Sequence, residues 1–348
     1  MKPWIISLAA VASLAGCQPK QSTPGPAGGS KKLLLGVVTD RGGINDQSFN
    51  ASAWRGAQNA QKDLGVEARY AQSQMESDYA RNLRSYAKQG YDLIVAVGYL
   101  EQDAYNQVAA EYKDTKTKFV IIDGQAANTP NAAGITFKEQ EGSFLVGALA
   151  AGMSKTGTIG FIGGMHGPVI GRFESGYVAG AKMMRPDIKI ISQYTESWDD
   201  SSKGQIQAQQ QFSTGADIIF HAAGKCGLGV INAAKLQGPG RYAIGVDSDQ
   251  DHLAPGKVLT SMVKNVDKAV YDFTQKVKSN QFTPGDHQYG LKENGVGLSE
   301  MKYTRKDVPA DVMAKVDAFK QKIIAGDIVP PATPAELTAF AAKNNFKL

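Results

Sequence analysis

The sequence predicts an α/β protein of two similar lobes in succession, each a parallel sheet flanked by helices. Short apolar runs alternate with amphipathic stretches of helical length from Lys32 onward, and the runs fall into two sets of four. The 348 residues also exceed one average domain. Short buried strands separated by helices of this length imply right-handed crossover units.

The first set of strands is expected at Leu33–Val38, Val66–Ala71, Leu93–Val97 and Phe119–Ile122. Apolar spacing places helices between them at Ser52–Leu64, Tyr79–Gln89 and Ala104–Tyr112. The second set is Thr158–Ile162, Ile188–Gln193, Ile218–His221 and Tyr242–Val246, with helices at Val169–Met184, Lys203–Ser213 and Leu228–Lys235. The Gly134–Phe137 run and a helix at Glu139–Met153 lie between the sets. A strand at Leu259–Val263 and a helix at Lys268–Lys278 follow, so the chain is expected to cross between lobes more than once and form a multi-strand hinge. Beyond Gly290 only two helices are read, Val312–Ile324 and Ala335–Phe346. The expected lobes are residues 32–137 plus about 266–290, and 138–265 plus about 291–348.

Hydrophobic residues at 42% and charged residues at 20% are those of an ordinary globular protein. The net charge of +5 is spread along the chain, which argues against nucleic acid as a partner. The 38 glycines suggest many tight strand-to-helix turns.

The start of the chain reads as an export signal over residues 1–16. Lys2 gives a positive beginning, and Trp4 to Leu14 is an apolar run too short to span a bilayer as a mature helix. The run ends in Leu14-Ala15-Gly16-Cys17, which resembles the bacterial lipobox and marks Cys17 for acylation. Residues 17–31, rich in Pro, Gly, Ser and Gln, read as a flexible tether. Burial of acyl chains at about 0.8 kcal/mol per methylene would hold a soluble body at a membrane, outside the cytoplasm. With Cys17 lipidated, Cys226 is the one thiol left, read as a small core residue.

Sheets of this kind place ligands beyond the carboxyl ends of their strands, and two facing lobes make a cleft. The residues at those ends carry the chemistry. Asp40 opens a loop that also holds Asn45, Asp46, Phe49 and Asn50; Asp123 and Asp247 each end a strand; Gly98 and Gly224 end others; Lys264 closes Leu259–Val263. Carboxylates accept paired hydrogen bonds and suit hydroxyls or the donor edge of a base, while Phe49 offers a stacking face. Asp46 and Asp251 read instead as helix caps or turn residues.

The segments Asp40-Arg41-Gly42-Gly43-Ile44-Asn45-Asp46-Gln47-Ser48-Phe49-Asn50, Gly171-Arg172-Phe173-Glu174-Ser175-Gly176-Tyr177 and Gly245-Val246-Asp247-Ser248-Asp249-Gln250 resemble the basic membrane protein family. These are substrate-binding lipoproteins similar to the purine nucleoside receptors of ABC importers. The resemblance, over roughly residues 33–296, implies a type I periplasmic-binding fold of two Rossmann-like lobes that closes on a nucleoside. It implies permease subunits as partners, a monomer, and no cofactor. The positions that match the family's ligand contacts are Asp40, Asn45, Phe49, Asn50, Asp123, Gly224, Asp247 and Lys264. An aromatic from the second lobe is implied over the base; Trp198 follows a strand and is preferred to Phe173, which lies within a helical pattern. The chain departs from the family in having Lys225-Cys226 after Gly224, and Trp198 where phenylalanine is frequent.

Other chemistries fit less well. Asp247 to Asp251 begins like a calcium loop but has His252 at the sixth position and Val258 at the twelfth. The 4 histidines show no metal spacing, and His221 reads as a hydrogen-bonded structural residue. The alternatives carried forward are a binding protein for a sugar or other furanose and a nucleoside-hydrolysing enzyme using Asp40 or Asp247. A ligand-sensing regulator of the same fold would need a DNA-binding module where the export signal stands.

Overall fold

A computed structural model describes Met1 and residues 32–348 of the chain. The expected signal peptide, tether and lipidated Cys17 lie outside the described residues.

Chain order runs β1 (Leu34–Thr39), α1 (Phe49–Leu64), β2 (Glu67–Gln72), α2 (Ser77–Lys88), β3 (Leu93–Val97), α3 (Gln102–Glu111), β4 (Lys118–Ile122) and β5 (Ala132–Phe137). Next come α4 (Glu139–Met153), β6 (Thr158–Gly163), α5 (Pro168–Met184), β7 (Lys189–Tyr194), α6 (Ser201–Ser213), β8 (Ile218–Ala222), α7 (Cys226–Lys235), β9 (Tyr242–Asp247) and β10 (Val258–Lys264). The chain ends with α8 (Val266–Lys278), β11 (Gly285–Tyr289), β12 (Val296–Leu298), α9 (Ala310–Ala325) and α10 (Pro334–Lys343).

The strands form two six-stranded sheets with matching topology, β2-β1-β3-β4-β5-β11 and β7-β6-β8-β9-β10-β12. Every pairing is parallel except that of β10 with the short edge strand β12. Each sheet takes its sixth strand from the late part of the chain, so the polypeptide crosses between sheets after β5, after β10 and after β11. The central strands are buried on both faces, as continuous apolar runs such as Leu93–Val97 require. Strands β11 and β12 had no counterpart in the sequence reading. The residues Gly-Asp-His-Gln-Tyr of β11 carry no strand pattern, and they are held by pairing with β5.

Two helix boundaries differ from expectation by three residues, each for a local reason. Helix α1 begins three residues before Ser52 because the Asp46 carboxylate accepts from the backbone N–H groups of Ser48, Asn50 and Ala51, each at 2.9 Å. Helix α10 stops at Lys343 rather than Phe346, since Asn345 adopts a left-handed conformation that turns the Phe346 ring back onto Phe340.

Many of the glycines serve helix packing rather than turns. A Cβ on Gly180 of α5 would lie 1.9 Å from the Phe144 carbonyl oxygen of α4, and one on Gly147 of α4 would lie 2.1 Å from the Tyr177 carbonyl oxygen. The same close approach recurs between α6 and α7, where a Cβ on Gly229 would lie 1.8 Å from the Ser201 carbonyl oxygen. The helix pair α4–α5 thereby draws the second lobe's outer layer tight over buried Phe144, Phe161 and Tyr177. Among the described residues no helix is long and apolar enough to cross a membrane.

Gly180→Ala should therefore destabilise the protein by about 1–3 kcal/mol, the usual cost of overpacking. Urea unfolding will check this against Gly171→Ala, a control on the same helix with open space at its Cβ position.

Candidate functional site

The order 2-1-3 within each sheet creates a chain reversal whose crevice opens at the carboxyl ends of the strands. The two crevices face each other, and between them lies a cavity with about 550 Å³ of empty space. From the first lobe it is lined by Asp40 and Gly42 after β1, Phe49 at the start of α1, Gly98 and Tyr99 after β3, and Asp123 after β4. The second lobe contributes Val169, Ile170 and Phe173 of α5, Trp198 after β7, Ala222 and Gly224 around the end of β8, and Val246 and Asp247 of β9. Lys264 closes it from the hinge.

Asp123 and Asp247 end corresponding strands of the two sheets, and both adopt left-handed backbone with φ of 62°. That conformation is uncommon outside glycine, although aspartate is among the residues that adopt it most readily. It turns each carboxylate off its strand and toward the cavity.

The centre of the site is an ion cluster. Lys264, 1% exposed, places Nζ 2.6 Å from Asp123 Oδ2 and 2.8 Å from Glu139 Oε1. Arg172 Nε lies 2.5 Å from the other oxygen of Glu139. The ammonium also sits 5.1, 5.0 and 5.6 Å from the ring centroids of Phe49, Phe137 and Phe173. Burial opposes the charge on Lys264, but Asp123, Glu139 and Asp247 outweigh it and hold the amine above its ordinary value. Burial likewise acts against ionised Glu139, yet Lys264 and Arg172 hold its carboxyl below the usual range.

The other carboxyls are less well compensated. Burial pushes Asp40 up to about 6, although Asn50 Nδ2 donates to it at 2.8 Å and the Gly42 N–H at 2.9 Å. Burial pushes Asp247 up to about 7, opposed by Lys264 and by the Ser48 hydroxyl, which donates at 2.5 Å. Asp123 is also raised, since burial exceeds the pull of Lys264. Asp123 Oδ1 and Asn50 Oδ1 are buried acceptors without a partner among the described residues. Trp198 Nε1 is a buried donor in the same state. The site thus offers mostly acceptors in a water-poor setting, where a ligand's donors gain more than they would in bulk solvent.

Contacts across the cleft hold the lobes together around this cavity. Besides Ser48 to Asp247, Gln250 Nε2 donates to the Gln47 carbonyl at 3.0 Å and Arg55 Nη1 to the Ser248 hydroxyl at 3.3 Å. Gln250 Oε1 also accepts from the Val246 N–H and meets His221 Nε2 at 3.1 Å, so His221 is the buried structural group expected of it. Its imidazole is pushed down to about 4 by burial and stays neutral.

Of the candidate residues, Asp40, Phe49, Asp123, Phe173, Trp198, Gly224, Asp247 and Lys264 meet at one cavity. Both second-lobe aromatics are there, so Phe173 is at once lining and core, 3% exposed and packed on Phe220. Asn50 stands behind Asp40 and orients it. Asn45 does not join them: it is exposed in the turn before α1, outside the residues that line the cavity. Cys226 is buried in the second lobe's core, its thiol raised by burial. Among the described residues no group of three or more His, Cys, Asp or Glu side chains could hold a metal ion.

Glu101, which sequence reasoning missed, is fully buried beside Asp40, and neither carboxyl oxygen has a hydrogen-bond partner among the described residues. Burial and then the Asp40 charge push its carboxyl well above the ordinary value. The folded protein therefore binds this proton more tightly than the unfolded chain does. The resulting stability is complete below about pH 4, the unfolded value, and is lost as pH rises toward the folded one.

Two outcomes follow for ligand-free protein. Lys264→Met should cost about 3–5 kcal/mol in urea unfolding, because it leaves Asp123 buried without its cation and Glu139 with Arg172 alone. Glu101→Gln should melt progressively higher than the parent as pH rises from about 5 to 8. A constant gap between the two melting curves would mean that Glu101 is not a buried neutral acid.

A family model described as ABC transporter substrate-binding protein PnrA-like (Bmp) matches residues 33–333. The ABC transporter nucleoside-binding protein BmpA of Lactococcus lactis subsp. cremoris is 39% identical over 339 residues, covering 91% of this chain and 96% of its own. Basic membrane protein A of Borreliella afzelii is 40% identical over 302 residues, covering 85% and 91%. Among solved structures, an ABC transporter system solute-binding protein from Aeropyrum pernix K1 matches with a TM-score of 0.82 at 30% identity. That match covers 90% of this chain and 100% of the other.

Proposed function

The chain belongs to the Bmp family of PnrA-like ABC transporter substrate-binding proteins, and from that premise we propose that its ligand is a nucleoside, most suitably a purine nucleoside. The observation that carries this reading is the meeting of Asp40, Asp123 and Asp247 with Phe49 and Trp198 at one interlobe cavity. Aromatic faces from both lobes suit a flat base, whose stacking contributes about 1–3 kcal/mol per base in single-strand binding. The carboxylates suit sugar hydroxyls and N–H groups on the base edge. The Lactococcus relative, named as nucleoside-binding, supports the same ligand class.

The protein works by binding rather than by chemistry, as the family's substrate-binding role requires. Ligand enters between parted lobes and favours the shut form only through contacts made better there. The Ser48–Asp247 and Gln250–Gln47 bonds belong to that shut form, and ABC permease subunits are the partners that recognise it. Acylation at Cys17, which the lipobox-like residues support, would keep the receptor at the outer face of a membrane.

A thermal-shift panel of purine and pyrimidine nucleosides, free bases and ribose tests the assignment. A purine nucleoside at about 100 times its Kd should add about 2.7 kcal/mol of stability. Asp247→Ala should abolish that shift while remaining folded by circular dichroism. A response to ribose alone would favour the sugar reading, and no response to any nucleoside would refute the assignment.

A further inference from the structure

The geometry points to Gln250 as a positioning residue that sets how long a nucleoside stays bound: its side-chain amide latches the shut form by donating to the Gln47 carbonyl of the other lobe, away from the ligand itself. The inference rests on the nucleoside reading above and concerns the closure of that same site.

Gln250 belongs to the second lobe and is fully buried. Its backbone N–H donates to Ser261 Oγ at 3.0 Å. Its Oε1 accepts from the Val246 N–H at 3.0 Å and lies 3.1 Å from His221 Nε2. Gly245 leaves the space for it, since a Cβ there would lie 2.6 Å from Gln250 Oε1. The amide can face only one way. A backbone N–H on one side needs an acceptor and a backbone carbonyl on the other needs a donor, so Oε1 takes Val246 and Nε2 takes Gln47, 3.0 Å away. The same choice sets the tautomer of His221, whose Nε2 carries the proton and donates to Oε1. That ring is seated against Gly227, where a Cβ would lie 2.1 Å from both Cε1 and Nδ1.

The acceptor is held as closely. Gln47 is an exposed residue in left-handed backbone, φ 56°, and what it offers the other lobe is its carbonyl. It stands between Asp46, which caps α1, and Phe49, which lines the cavity.

One bond of Gln250 distinguishes the shut form from the parted one. Those to Ser261, Val246 and His221 lie within the second lobe and are made in both forms, so they cancel from ligand affinity. The bond to Gln47 is made only where the lobes meet. Gln250 is not among the residues that line the cavity, so its effect is the same for every ligand that fits. The other contacts across the cleft differ in kind. Ser48 bonds to Asp247, itself a cavity carboxylate, and Arg55 reaches Ser248 at 3.3 Å from a side chain 43% exposed.

Stopped-flow kinetics with guanosine, inosine and adenosine test the latch on the parent protein, Gln250→Glu and Gln250→Leu. Ionised glutamate keeps the acceptor for Val246 and His221 and loses the donor. Leucine loses the donor without burying a charge, should the first variant fold poorly. Each variant should release every nucleoside that the parent binds about tenfold faster, the scale of one hydrogen bond, with association rates and the order of preference unchanged. A purely structural role would lower the melting temperature without this split. Dissociation rates equal to the parent's, a loss that falls on association, or a penalty that differs from one nucleoside to the next would overturn the latch and leave the nucleoside assignment standing. Failure of these and all other nucleosides to bind the parent protein would overturn both.

Discussion

The buried ammonium of Lys264 is the interaction on which the rest of the site depends. It sits where the chain leaves β10 for the other lobe, and its partners come from two other places: Asp123 from the first sheet and Glu139 from the crossing after β5. A cation 1% exposed costs several kcal/mol to desolvate unless its partners are close and well aligned. That requirement fixes the geometry of two of the three crossings at once. Arg172 extends the cluster into α5, so both lobes meet the hinge through charge as well as through packing.

The cluster also sets the electrostatics of the cavity. Glu139 is fully compensated by two cations, whereas Asp40 and Asp247 are not and are raised by burial toward neutrality. Incompletely satisfied acceptors in a dry cavity are poor companions for one another and good ones for a ligand rich in donors. The direct bonds between lobes are few and polar, so the balance between parted and shut forms is open to a ligand that bridges them.

Much of this was legible before any coordinates. Strands in a parallel sheet end on one side, so Asp40 and Asp123 of one sheet and Asp247 of the other, each at the end of an apolar run, were expected at strand ends that flank a crevice. Asp46 as a cap and His221 as a structural group followed from the same local rules. Asn45 and Asp46 show the limit of those rules, since adjacent polar residues in one turn divide into an exposed side chain and a buried cap by backbone direction alone. Glu101, the Glu139–Arg172 pair and the Ser48–Asp247 bond were not legible as site features. Each depends on a neighbour far away in sequence, or on burial that polar residues do not announce.

The glycines divide the same way. Their abundance was plain, but composition cannot distinguish a residue that bends the chain from one that lets two helices touch, as Gly147 and Gly180 do. Periodicity and turn chemistry are local properties of the chain, so the two-lobed α/β architecture and the chemical character of the strand ends could be read from the order of residues. Which carboxylates are compensated and which aromatics share the cavity emerged from packing in three dimensions. Those outcomes depend on distances between elements that meet solely when the two sheets close on each other.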